Sequence, residues 1–185
     1  MKLYNLNSYI FKQSISDHES INDKLLSFFK DYDIRNYKFG NTINITKTDW
    51  DTSKDMNKPY VSYFIDKITP YLNNVSEKLM TKKCKINDIW FQQYNENDNH
   101  GWHNHSNCNW SNVYFVELPD NSVATKFKDK DIDIDDIKTG DMITFPGYLL
   151  HESPKNLSGK RKTIISFNSN YSDYTEHWQF SQINI

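Results

Sequence analysis

Residues 90–107 read WFQQYNENDNHGWHNHSN, and the folding of this stretch decides the reading of the rest of the chain. It opens on aromatic, β-compatible residues, crosses a turn-rich patch at 95–99, and becomes extended again at 101–105. On a strand, side chains alternate between faces, so His103 and His105 point one way and Asn104 the other. Two imidazoles on one face can bind one metal ion from adjacent positions. A third ligand has to come from another strand. His151, in the stretch FPGYLLHES at 145–153, is the candidate. Three protein ligands on an octahedral ion leave positions open for small ligands, as redox oxygen chemistry requires.

Outward from this stretch, the texture is of two kinds. From about residue 85 onward, short aromatic and β-branched segments alternate with turn signals. The expected strands are 86–95, 101–105, 110–118, 122–128, 141–145, 149–152 and 161–170, with a short closing strand at 178–184 and an early one at 41–47. Before residue 85 the pattern is mainly helical. Residues 17–32 carry Ile21, Leu25, Leu26, Phe28 and Phe29 at a rough helical period, with Asp17 or Ser20 as cap. Residues 59–83 carry Val61, Phe64, Ile65, Ile68, Tyr71, Leu72, Val75 and Leu79, and Pro70 is expected to kink or split that helix. Two helices followed by many short strands give an α+β protein with a β-sandwich or barrel core, the jelly roll being one option. The chain reads as one domain, with 1–84 as mainly helical support and 85–185 as the β core. Ligands in such folds sit in the mouth between the sheets.

Composition bounds the function. With 185 residues the chain suits a single core. Only 37% of residues are hydrophobic, but five Trp, twelve Tyr and eleven Phe supply large buried areas where aliphatics are few. The net charge of −2 leaves no basic footprint for nucleic acid. Cys84 and Cys108 are too few for a disulfide framework. The start, MKLYNLNSYIFKQ, has no apolar run of signal-peptide length, and no stretch reaches transmembrane length. The expectation is a soluble, cytoplasmic protein with no membrane partner; a homodimer stays open.

Two further residues gain meaning beside the histidines. In GKRKTIISFN, Arg161 and Thr163 share a strand face that continues through Ile165 and Phe167. An inward Arg is costly unless it meets an anion, and its guanidinium can grip a carboxylate with two parallel bonds. Tyr94 shares a face with Trp90 and Gln92, and its phenol could donate to the same anion. The opposing reading of Arg161 is a solvated cation beside Lys160 and Lys162.

The order Tyr94, His103-x-His105, His151, Arg161-x-Thr163 resembles the 2-oxoglutarate/Fe(II)-dependent oxygenase superfamily. It is most similar to the small oxygenases related to prolyl 4-hydroxylases that occur in bacteria and their phages. Gly140, Asp141, Phe145, Pro146 and His151 fit the family phrase G-D-x-x-x-F-P-x-x-x-x-H. The likeness covers residues 90–168 well and the N-terminal part only loosely. It implies a double-stranded β-helix (a jelly-roll, cupin-like core) with N-terminal buttressing helices. It also implies Fe(II) on His103, His105 and His151, with 2-oxoglutarate and O2 as cosubstrates. Arg161, Thr163 and Tyr94 would then hold the far carboxylate of 2-oxoglutarate, and Asn168 or Gln92 would orient the imidazoles. The primary substrate is not fixed by the likeness: a protein side chain such as proline or a small molecule fits, and the protein could be phage-encoded and act in the host cytoplasm. The chain departs from the superfamily at His105, where a carboxylate is usual. That departure keeps a three-histidine dioxygenase without 2-oxoglutarate open, as well as Asn104, Glu117 or Glu152 as oxygen ligands. A non-catalytic metal-binding β-sandwich module is the remaining alternative.

Other signals carry less. His100, His103, His105 and Cys108 form a compact cluster that could hold zinc. Asp129, Asp131 and Asp133 have calcium-loop spacing, but Ile134 stands where that loop needs Gly and Gly140 where it needs Glu. Residues 46–56, polar with one Trp, could form a lid or an ordinary surface connection.

Overall fold

The structure is a computed structural model that describes residues 8–30, 32, 36–129, 132 and 134–175. In chain order its elements are β1 (Phe11–Ser14), α1 (His18–Lys30), β2 (Tyr37–Phe39), β3 (Ile43–Ile45), β4 (Lys47–Thr48), a 3-10 turn (Trp50–Thr52), α2 (Pro59–Leu79) and β5 (Thr81–Tyr94). There follow β6 (Asn99–His103), β7 (Trp110–Glu117), a second 3-10 turn (Asn121–Val123), β8 (Lys126–Phe127), β9 (Asp141–Pro146), β10 (His151–Ser153) and β11 (Lys162–Tyr174). The strand expected at 178–184 lies outside the described residues. Where a strand was expected at 122–128, a 3-10 turn takes the first residues and only Lys126–Phe127 pair.

The strands form two sheets with open edges. Among the described residues one has six strands in the order β1-β9-β7-β11-β5-β4, and the other has five in the order β2-β3-β6-β10-β8. Every pairing is antiparallel. With the helices on one face, this is the α+β, double-stranded β-helix arrangement expected. The segment before residue 84 supplies four short strands as well as the helices.

Each long strand of the larger sheet serves two cores. Ile89, Phe91, Tyr114, Val116, Met142, Ile165 and Phe167 pack with Leu25, Phe29, Tyr60, Phe64 and Ile68 of the helices. Their alternates Tyr94, Val113, Phe115, Ile143, Phe145 and Ile164 pack with Ile45 and Phe127 of the smaller sheet. The period of two is thus enforced on both faces, and a slip of one residue would exchange the two cores.

The helices follow from their apolar stripes. Ile21, Leu25 and Phe29 are buried at four-residue spacing on α1. Gly140 lies against the start of α1 with φ +87°, and a Cβ there would sit 2.3 Å from the His18 ring, so only glycine fits. Pro59 opens α2, where its missing N–H costs nothing. Pro70 lies inside α2 without splitting it.

Residues 46–56 are tied down through a buried ion pair. Lys58 Nζ lies 2.7 Å from Asp49 Oδ2, and both side chains are 4% exposed. Asp49 also accepts from Tyr60 Oη and from the Phe91 backbone N–H, each at 2.8 Å. This clamp sets Trp50 against Trp90, ring centroids 5.6 Å apart and nearly parallel. Asp49→Ala leaves a buried ammonium unpaired and is expected to destabilise the fold by about 3–5 kcal/mol in urea titration. Asp49→Ala/Lys58→Met should regain much of that loss. A loss under about 1 kcal/mol in the single variant would show that the clamp does not organise this segment.

Candidate metal centre

The three histidines come from two neighbouring strands and one loop. On paired β6 and β10, His103 faces His151 and His100 faces Ser153. Two steps along β10 thus span three along β6, a bulge that turns both His100 and His103 inward. His105 follows β6 in a loop instead of extending the strand. Its backbone N–H donates to Gly147 O at 2.9 Å. A Cβ on Gly147 would lie 2.8 Å from Cys108 Sγ, so glycine permits this close approach. The ligand atoms of His103, His105 and His151 lie within 4.8 Å of one another, the separation that one ion can bridge.

The ring nitrogens are sorted by their partners. His103 Nδ1 lies 2.8 Å from Gly101 O, and His151 Nδ1 lies 2.9 Å from Leu149 O. Carbonyls only accept, so both rings carry hydrogen on Nδ1 and present the Nε2 lone pair. His105 Nδ1 lies 2.6 Å from Asn168 Oδ1. Burial pushes the His103 imidazole down to about 4 and that of His151 to about 3, and lowers His105 too. Neutral imidazole is the metal-binding form. His100 stacks flat on His103, centroids 3.8 Å apart, but its ring is outside the three-ligand group. Cys108 is also outside it, so the His/Cys zinc cluster is not assembled. No carboxylate joins the group among the described residues, and Glu117 is engaged elsewhere.

The expectation for Arg161 and Thr163 is corrected by strand parity. They do share a face, but it is the face turned away from the histidines. Arg161 is 45% exposed along its side chain, and its Nε and Nη2 each donate to a Glu117 carboxylate oxygen at 2.8 Å. The Thr163 hydroxyl donates to the same carboxylate. The intervening Lys162 turns inward. Its side chain is fully buried, and its Nζ donates to Val123 O at 2.6 Å and to Ser153 Oγ at 2.8 Å. The Tyr94 ring lies 5.2 Å from the same nitrogen. Among the described residues no carboxylate pairs with Lys162, and burial pushes its ammonium down to about 7.

Lys162 is hidden in the sequence by its place in a run of three basic residues, Lys160–Lys162, that reads as a solvated turn. A signal was available one step along the strand. Ser166 and Asn168 share parity with Lys162, whereas Ile165 and Phe167 form an uninterrupted apolar face. The face carrying polar residues in a buried strand is the site face.

Tyr94 faces the space between the sheets. It is 1% exposed, it lines the inner cavity, and burial raises its phenol so that it stays a neutral donor. Among the described residues its hydroxyl makes no close hydrogen bond, only a longer interaction with Ser153, and Gln92 Nε2 and Trp90 Nε1 on the same face of β5 have no partner. Three buried donors without close acceptors line one wall beside the histidines, and each such group is costly unless an acceptor meets it. The inner cavity is narrow, about 20 Å³, and Trp90, His100, His103 and His105 separate it from an open groove of about 690 Å³. Trp50, Asn87, Asp88 and Asn107 line that groove.

Residues 88–136 match a protein-family model described as "Putative 2OG-Fe(II) oxygenase". A comparison with curated protein sequences gives no match. Solved structures share the fold. A viral collagen prolyl hydroxylase of Paramecium bursaria chlorella virus-1, in complex with 2-oxoglutarate, superimposes with a TM-score of 0.64 at 16% identity, over 88% of this chain and 96% of that one. A prolyl-4-hydroxylase of Pseudomonas putida gives 0.63 at 8% identity, over 86% and 91%. A prolyl hydroxylase of Trichoplax adhaerens, in complex with a peptide of hypoxia inducible factor, gives 0.60 at 12% identity, over 89% and 83%.

A three-imidazole site predicts stabilisation by mass action. Mn(II) at a hundredfold excess over its Kd should stabilise the protein by about 2.7 kcal/mol, or roughly 5–10 °C in a thermal melt. His151→Ala should lose most of that shift. An equal shift in both proteins would place the ion elsewhere.

Proposed function

We propose that this member of the 2-oxoglutarate/Fe(II)-dependent oxygenase superfamily holds Fe(II) between His103, His105 and His151, and takes the far carboxylate of 2-oxoglutarate at Lys162 and Tyr94. The observation that carries the reading is Lys162, a fully buried cation facing a wall of donors without close acceptors. An ammonium buried with only two neutral acceptors, Val123 O and Ser153 Oγ, is expensive, and an anion is the group that relieves it. Once bound, iron and cosubstrate supply the oxidising chemistry, in which 2-oxoglutarate and O2 give succinate, CO2 and a hydroxylated substrate C–H bond.

The protein's own part is binding, orientation and exclusion of water. Three Nε2 lone pairs, fixed by hydrogen bonds at Nδ1, define the ion's position. Lys162, released in part from Ser153, donates to the far carboxylate, and Tyr94 Oη adds a second donor. Because the cavity is narrow, Lys162 and its neighbours must shift to admit the cosubstrate. Gln92 Nε2 and Trp90 Nε1 offer donors between that anchor and the histidines. Ile164, Val113 and Ser166 close the inner walls. The primary substrate then approaches from the groove lined by Trp50 and Asp88.

For that substrate we favour a protein side chain such as proline. Two of the similar structures are a collagen prolyl hydroxylase and a hydroxylase with a bound peptide, and the open groove suits an extended chain. From the likeness of the sequence to phage oxygenases we also propose a phage origin and action in the host cytoplasm. No helix among the described residues is long and apolar enough to cross a membrane. A three-histidine dioxygenase without 2-oxoglutarate would leave Lys162 unexplained.

Anaerobic addition of 2-oxoglutarate to the Fe(II)-loaded protein should give a metal-to-ligand charge-transfer band. Arg161→Ala should titrate like the wild type. Lys162→Met should need roughly 10- to 150-fold more cosubstrate, the loss of one hydrogen bond to a charged group. The affinity should be level below pH 7 and weaken as the pH rises above it, because the carboxylate needs the protonated Lys162. Lys162→Arg should remove that dependence. No band in the wild type, or an effect of Arg161 larger than that of Lys162, would contradict the reading.

A further inference from the structure

The three imidazoles are fixed in two different ways. His103 and His151 each use a backbone carbonyl, Gly101 O and Leu149 O. His105 depends on a side chain, Asn168, whose Oδ1 lies 2.6 Å from its Nδ1. An amide can face either way, so its orientation follows from what lies on its other side. Asn168 Nδ2 lies 3.5 Å from Asp88 Oδ2, a long contact but one with a single sense, since a carboxylate only accepts. Ser111 Oγ lies 3.4 Å from Oδ1 and can donate to it. The amide therefore turns its NH2 to Asp88 and its oxygen to His105. His105 then keeps its hydrogen on Nδ1 and presents Nε2 to the other two imidazoles.

The register explains why these groups meet. On β11, Asn168 pairs with Asp88 of β5 on one side and with Ser111 of β7 on the other. Three polar side chains thus stand in one row across the larger sheet, and His105 is the ligand brought down onto that row. It is also the ligand in the place where the superfamily pattern has a carboxylate.

We propose that Asp88 and Asn168 are a positioning pair for His105. Asp88 fixes the amide, the amide fixes the imidazole, and through it the Asp88 charge reaches the one ligand that replaces a carboxylate. Neither residue touches the ion. The inference rests on the three histidines being metal ligands. Partners of this kind orient ligating imidazoles and raise their basicity, and their loss weakens metal binding about 10- to 100-fold.

Side-chain ¹⁵N NMR of the metal-free, histidine-labelled protein reads the tautomer of each ring. In the wild type all three should carry hydrogen on Nδ1. In Asn168→Ala, His105 alone should leave that form, and Mn(II) affinity should fall roughly 10- to 100-fold. Asp88→Asn frees the amide to turn and should give a smaller change of the same kind; it keeps the test available if Asn168→Ala does not fold. The exchanged variant Asp88→Asn/Asn168→Asp places an acceptor on His105 and a donor behind it, and should restore the tautomer. His105 protonated on Nε2 in the wild type would overturn the pair. So would an unchanged tautomer and Mn(II) affinity in Asn168→Ala. A wild type that binds no Mn(II) would overturn the metal reading itself, which separates the two failures.

Discussion

Alternation along β11 is the constraint on which the site depends. This strand has the helices on one face and the second sheet on the other, so each residue is committed to one of two interiors. Ile165 and Phe167 belong to the helix side. Lys162, Ile164, Ser166 and Asn168 therefore belong to the space between the sheets. Against β5 the register runs unbroken from Lys162 to Asn168, so these four residues keep a common face. The same rule on β5 sends Ile89 and Phe91 to the helices, and Trp90, Gln92 and Tyr94 to the histidines. Lys162, the proposed anion anchor, and Asn168, the proposed orienting group, thus lie six residues apart on one strand, on the same face.

The charges of the site balance only when a ligand is counted. Burial keeps the imidazoles neutral, so a bound divalent ion retains its full charge. Lys162 adds a further positive charge nearby, and Tyr94, Gln92 and Trp90 contribute donors without close acceptors. Such a space favours a small dianion with one end at the metal and the other at the ammonium, which is the charge pattern of 2-oxoglutarate. The Asp88 carboxylate stands outside this space on the groove side and acts through Asn168.

Much of the architecture was legible in the sequence. The two apolar helical stripes, the run of short aromatic strands, and the pairing of His103 with His151 through two separated motifs all appear in the structure. What failed was a matter of one residue. Arg161 and Thr163 were read on the correct common face, but which face of the sheet that was could not be told from 161–163, where three of four residues from Lys160 to Thr163 are basic. The answer lies further along, at Ile165 and Phe167, whose apolar side chains require the helix layer. The bulge in β6 was also hidden: His100 and His103 are three apart, a spacing that an ideal strand sends to opposite faces. Likewise, residues 46–56 carry no periodic signal. Their order comes from Asp49, whose partners Lys58, Tyr60 and Phe91 are nearby only in the folded chain.

The most direct test is a crystal structure of the protein with Mn(II) and 2-oxoglutarate under anaerobic conditions. The account predicts the ion on Nε2 of His103, His105 and His151. It also predicts the far carboxylate at hydrogen-bond distance, about 2.8 Å, from Lys162 Nζ, with Tyr94 Oη as second donor. A carboxylate bound at Arg161, or an ion held without His105, would contradict it.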